Sequence, residues 1–131
     1  DGSFVEVEND NYMRARELEG FLLNARDLCE ERVPGTKQCW QEFILYAADK
    51  DNSKKGVWND AHCKLVPRTC AMLQHREIIG APPGLAHKGV PGKVSFIRLK
   101  AGKKILKHCG PHPYRVTCHL GLRIPQGATI Q

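Results

Sequence analysis

Tyr114-Arg115-Val116-Thr117-Cys118-His119-Leu120-Gly121-Leu122-Arg123-Ile124 is the stretch whose alternation decides the fold class. Val116, Cys118, Leu120 and Leu122 recur at every second position, with Arg115, Thr117, His119 and Gly121 between them. Successive side chains of a strand point to opposite faces. The pattern therefore predicts a strand with one apolar face and one face carrying a cation, a hydroxyl and an imidazole. Pro125-Gln126-Gly127 predicts the turn that ends it, and Ala128-Thr129-Ile130-Gln131 the start of another strand.

Working outward, alternation begins at Lys93. Val94, Phe96 and Arg98 face one way, and Ser95, Ile97 and Leu99 the other. Ala101-Gly102-Lys103 reads as a turn and Ile105-Leu106 as the start of a short strand. Gly80 to Gly92 holds three prolines and four glycines and reads as a loop. Pro67 to Gln74 predicts a short helix opened by proline. Asp49 to Asp60 is a polar, exposed excursion, and Cys39 to Ala47 has the aromatic and branched content of a strand. At the N-terminus, Asn9 or Asp10 can cap a helix running to about Glu31. Its apolar stripe is Ala15, Leu18, Leu22, Ala25 and Cys29; Arg14, Glu17, Glu19, Arg26 and Asp27 are the charged positions between, and Pro34-Gly35 stops it. The chain thus reads as a single domain over 1–131, with a helical lead-in over about 1–38 and a β-rich core over about 39–131. This is an α+β, mainly β arrangement of the sandwich or barrel kind.

Composition narrows the function classes. The chain of 131 residues is 41% apolar but holds only nine aromatic residues, enough for a modest core. No stretch approaches the roughly 20 apolar residues that span a bilayer. The opening Asp1-Gly2-Ser3 is not that of a signal peptide, so the chain reads as the interior of a longer product. The net charge is +6, with five cations and no acid between Arg98 and Lys107. No aromatic residues interleave with those cations, which argues against nucleic acid. A solvated face is the plain reading of the basic stretch, and attraction of an anionic ligand the sharper one. Six cysteines are many for a cytosolic enzyme of this size. Cys63 and Cys70 bracket a short loop that a disulfide could close, pointing to a secretory or lumenal setting; spacing does not pair the other four.

The segment that carries chemistry is Lys107-His108-Cys109-Gly110-Pro111-His112-Pro113-Tyr114-Arg115 and onward to Leu122. His108 stands at a strand-to-loop junction, where an imidazole is a good ligand for a divalent transition metal. His119 and Arg115 share one strand face and suit a carboxylate through charge-assisted hydrogen bonds. A lone histidine is more often a satisfied structural residue, which is the expectation for His62, His75, His87 and His112. Cys109, His112 and Cys118 form a zinc alternative, but zinc needs four ligands in a tetrahedron and the flanking prolines restrict the loop.

His108-Cys109-Gly110-Pro111, then Arg115, then His119-Leu120-Gly121-Leu122-Arg123-Ile124-Pro125 resemble the signature of the aspartyl/asparaginyl β-hydroxylase family. Trp40-Gln41-Glu42-Phe43-Ile44-Leu45 resembles its Trp-x-x-Phe-x-Leu strand. The pair Cys63 and Cys70 resembles one that is disulfide-bonded in the animal enzymes. Leu99-Lys100-Ala101-Gly102 also fits, and the resemblance covers roughly residues 15 to 131.

The resemblance implies N-terminal helices packed on a double-stranded β-helix (jelly roll), of which the first half is present. It implies an iron(II)- and 2-oxoglutarate-dependent dioxygenase hydroxylating the β-carbon of Asp or Asn in polypeptides. Disulfide-rich secreted domains are the expected partners. Localisation would be the endoplasmic reticulum lumen or secretory pathway, with membrane attachment only through an upstream anchor. By resemblance His108 is the first iron ligand, with Gly110 where related oxygenases carry a carboxylate, and His119 contacts 2-oxoglutarate. Arg115 supports that site. Thr117 stands where the family often has a second arginine, and Ile97 where it often has a serine, with Ser95 two residues earlier on the same strand face. The distal histidine ligand is expected beyond Gln131, so the chain alone is expected to be inactive. A non-catalytic interaction module of the same fold and a lipid-hydroxylating relative are the alternatives.

Overall fold

The computed structural model describes residues 4–6, 15–31, 33–74, 91–109 and 117–130. They form a mostly β structure around one long strand. The elements are β1 (Phe4–Glu6), α1 (Ala15–Asn24), β2 (Arg26–Glu30), β3 (Gln38–Ala48), β4 (Gly56–Trp58), α2 (Asp60–Leu65), α3 (Pro67–Gln74), β5 (Val94–Arg98) and β6 (His119–Gly121). β1 and β6 make a parallel pair, with Phe4 opposite His119 and Glu6 opposite Gly121.

β3 organises the four-stranded sheet. Gln41 pairs with both Asp27 and Arg98, and Tyr46 with both Trp58 and Val94. A strand residue has one partner per edge, so β2 and β4 follow each other along one edge and β5 runs along the other. The sheet is antiparallel throughout, and a bulge between Ile44 and Tyr46 adjusts the β5 register.

Phe43 and Leu45, two residues apart on β3, turn one face of the sheet into the core. Phe21 of α1, Val66, and Cys70 of α3 complete the fully buried cluster. The Phe43 ring lies 6.1 Å from that of Phe21, 6.5 Å from Phe96 and 4.0 Å from the imidazole of His62, on which it stacks. His62 is the satisfied structural histidine expected of it: its Nδ1 sits 2.5 Å from the Ile44 carbonyl, tying α2 to β3. Asn59 caps α2, its Oδ1 accepting from the His62 amide at 3.0 Å.

Glu17 departs from its expected place on the polar side of α1. It is only 4% exposed. Its Oε1 accepts from the backbone N–H groups of Arg68 and Thr69 at 2.9 and 3.4 Å. Pro67 has no N–H, so the next two donors of α3 are the ones that need a partner. A carboxylate at this positive helix end is electrostatically favourable, which is why it is buried here. A disulfide between Cys63 and Cys70, as the resemblance implies, links α2 to α3.

Other expectations need correction. The first helix ends at Asn24, not Glu31, so the lead-in over 1–38 is not wholly helical. Arg26–Glu30 instead pairs with Gln38–Glu42, and Cys29 is disulfide-bonded to its register partner Cys39. Ladder hydrogen bonds and a covalent link override a helical periodicity that continued past Asn24. Pro34-Gly35 is the hairpin turn between those strands, with Gly35 at φ +79°. The polar excursion 49–60 contains β4, and its loop is closed by the Asp49 N–H donating to the Lys55 carbonyl at 2.8 Å. The expected strand at Tyr114–Ile124 is ordered as strand only at His119–Gly121, with 110–116 outside the described residues. Ile105-Leu106 and 128–130 lie outside any strand, and β1 had no sequence signal. By contrast, β3, α3, β5 and the turns at 101–103 and 125–127 stand where the sequence places them. Among the described residues no helix is long and apolar enough to cross a membrane.

Phe43→Ala should cost about 3 to 5 kcal/mol of stability, read as a fall in the urea midpoint without a change in slope. Glu17→Ala should cost about 1 to 2 kcal/mol, as loss of a helix cap does, measured in the same way.

Candidate metal and cosubstrate site

β5 carries the first of the expected residues. Phe96 packs against the core, so its neighbours Ser95 and Ile97 point to the opposite face of the sheet, away from the helices. Ser95 is half-buried opposite Ile44, while Ile97, opposite Glu42, is 52% exposed. Glu42 is buried on that same face and forms an ion pair with Lys93.

After β5 the chain turns at Lys100–Lys103, where the Lys103 amide donates to the Lys100 carbonyl at 3.1 Å and Gly102 takes φ +71°. The returning segment is held by a side chain of β3. The Leu106 amide donates to Oε1 of Gln38 at 2.7 Å. Two residues later, His108 Nδ1 lies 2.9 Å from the Leu106 carbonyl. A carbonyl oxygen only accepts, so Nδ1 carries the proton in this contact. No described residue bonds Nε2 of the exposed His108, and in a neutral imidazole with this tautomer that nitrogen carries the lone pair that ligates a metal.

β6 carries the second group of expected residues. His119 is exposed and paired in register with Phe4 of β1, and Thr117 is exposed just before the strand. Arg115 lies outside the described residues. No hydrogen bond or ion pair joins Ser95, His108, Thr117 and His119 to one another among the described residues. No group of three His, Cys, Asp or Glu side chains that could hold a metal occurs among them either. Cys109 and Cys118 are free and exposed; His112, the third member of the zinc alternative, lies outside the described residues. Gln38 is the contributor that sequence reading missed. A glutamine opening a strand carries no motif, and only the returning backbone shows its use.

Comparison with known proteins adds the family. The family described as Aspartyl/Asparaginyl beta-hydroxylase matches residues 8–131. The chain belongs to this family. A Xenopus tropicalis protein named Aspartate beta-hydroxylase domain-containing protein 2 is 39% identical over 72 residues, covering 54% of this chain and 18% of that protein. The Mus musculus Aspartyl/asparaginyl beta-hydroxylase is 30% identical over 88 residues, 66% of this chain and 10% of its own length. The Homo sapiens Aspartate beta-hydroxylase domain-containing protein 2 is 34% identical over 77 residues, 58% of this chain and 19% of that protein. The matched segment therefore spans between 10% and 19% of these relatives. No solved structure matches the chain.

For this β-hydroxylase family chain the two disulfides and two free thiols give a direct check. Alkylation of the native, unreduced protein should label Cys109 and Cys118 alone. Peptide mass spectrometry that found label on Cys29, Cys39, Cys63 or Cys70 would contradict the pairing.

Proposed function

We propose that this chain forms part of an iron(II)- and 2-oxoglutarate-dependent dioxygenase that hydroxylates the β-carbon of Asp or Asn residues in polypeptides. Family membership supports the reading, and the observation that carries it is His108, whose Nδ1 is engaged by the Leu106 carbonyl while no described residue bonds Nε2. The two sheets would then belong to the first half of a double-stranded β-helix.

His108 fits an iron site in donor type and in the form it presents. The described residues do not complete a ligand set, so the remaining ligand would come from outside them. When bound, iron(II) with 2-oxoglutarate supplies oxidative decarboxylation to succinate coupled to hydroxylation of an unactivated carbon. The chain's own part is recognition and placement. His119, aided by Arg115, would hold a carboxylate of the cosubstrate by charge-assisted hydrogen bonds. Thr117 and Ser95 would add hydroxyl donors. The two disulfides support an oxidising compartment, the secretory pathway or endoplasmic reticulum lumen, and disulfide-rich secreted domains as substrates.

One observation favours a second reading, a non-catalytic interaction module of the same fold. Ile97 presents an exposed aliphatic side chain on the face where a hydrogen-bonding residue would help. The test is anaerobic iron(II) binding by the native-length protein, followed by succinate release from 2-oxoglutarate, with His108→Ala alongside. The dioxygenase reading expects both signals, each lost in the variant. A native-length protein that binds no iron and releases no succinate would leave the interaction module standing.

A further inference from the structure

The segment bearing His108 is anchored from a distance of seventy residues by one side chain. Gln38 is the first residue of β3, register partner of Glu30 on β2. The next residue, Cys39, is cross-linked to Cys29, its own register partner. The end of the β2–β3 ladder that presents Gln38 is therefore covalently closed, and its backbone cannot fray without breaking that link. From this fixed point the Gln38 carboxamide accepts the Leu106 N–H at 2.7 Å, and the Leu106 carbonyl accepts from His108 Nδ1 at 2.9 Å. Leu106 thus donates to Gln38 through its N–H and accepts from the imidazole through its carbonyl.

Apart from this contact the returning segment has few ties among the described residues. Residues 103–109 form no strand, and almost all are exposed. The Lys100–Asp27 ion pair before it, at 4.0 Å between two exposed side chains, adds little. Orientation of a metal-binding histidine depends on what its second nitrogen bonds. Here that partner is itself a loop carbonyl, so its position depends on whatever fixes the loop.

We infer that Gln38, held at the disulfide-closed end of the β2–β3 hairpin, is a positioning residue that sets His108 for metal binding. The inference rests on the dioxygenase reading for the identity of the metal. It predicts a loss of affinity with no loss of a ligand.

The experiment measures the dissociation constant of cobalt(II), as a spectroscopic substitute for iron(II), with the native-length protein. Four forms are compared: wild type, Gln38→Met, Gln38→Glu and His108→Ala. Gln38→Met keeps the side chain's length but removes the acceptor, and should weaken binding about tenfold or more, the usual effect of losing an outer partner. Gln38→Glu keeps an acceptor oxygen and should restore most of the affinity. Unchanged affinity in Gln38→Met, with binding lost in His108→Ala, overturns the inference and leaves the dioxygenase reading intact. Cobalt binding unaffected by His108→Ala defeats that reading instead, and the inference with it. Hydrogen exchange of the Leu106 amide in the wild-type protein gives a readout that needs no variant. Protection is expected, and exchange at the rate of an open loop overturns the inference.

Discussion

Double-edged pairing of β3 is the constraint on which the rest of the structure depends. Gln41, Glu42 and Tyr46 are each paired on both sides, so this strand cannot shift without dissolving two ladders. A slip of one residue would also turn Phe43 and Leu45 out of the core and Glu42 into it. That outcome is costly in both directions. Each large apolar side chain loses about 1.5 to 3 kcal/mol of burial, and a carboxylate would enter an apolar environment without its lysine. The register of β3 in turn places β5, and β5 sends the chain toward His108.

The helices are fixed to this sheet by polar contacts as well as by packing. Phe21, Val66 and Cys70 cover Phe43 and Leu45, but apolar contact alone is non-directional. Direction comes from two specific links to the sheet and one between the helices. His62 bonds the Ile44 carbonyl, Asn59 both caps α2 and bonds the Leu45 carbonyl at 2.8 Å, and Glu17 reaches from α1 to the start of α3. The Cys63–Cys70 disulfide closes the α2–α3 corner. A core with few aromatic residues is thus supplemented by part-buried hydrogen bonds from His62 to Ile44 and from Arg68 to Glu17, whose partners lie far apart in sequence.

That division explains what the sequence made legible. Local signals were read correctly where a single physical rule applied: alternation in β5, the proline start of α3, the glycine turn at Gly102. The family motif was legible because its residues are contiguous. Failures fell where a distant partner overrides local preference. Arg26–Glu30 continues a helical periodicity, yet its ladder to β3 and the Cys29–Cys39 link make it a strand. Glu17 looks like a solvated charge because nothing nearby announces that Pro67 leaves two amide donors for it to cap. β1 consists of three residues whose pairing with β6 spans more than a hundred positions, beyond any window of periodicity.

The orientation of β5 also bears on how the proposed cosubstrate could be held. The helices occupy the face that takes Phe96, so in the proposed dioxygenase the cosubstrate would lie on the face of Ser95 and Ile97. Positions two apart on a strand are separated by about 7 Å, well over twice the length of a hydrogen bond. Ser95 therefore cannot supply, to a ligand in the same place, the hydroxyl that Ile97 lacks. Either 2-oxoglutarate sits further along β5 or that contact is absent. Thr117 acts in the same direction, since its single hydroxyl cannot form the two-pronged, charged bond that an arginine gives a carboxylate. In the proposed site both positions would offer less than the family pattern does, and the imidazole of His119 and the guanidinium of Arg115 would carry more of that work beside the hydroxyls of Thr117 and Ser95. In the proposed dioxygenase, cosubstrate affinity would then depend more heavily on His119 than the family pattern implies, while His108 and its anchor at Gln38 serve the metal.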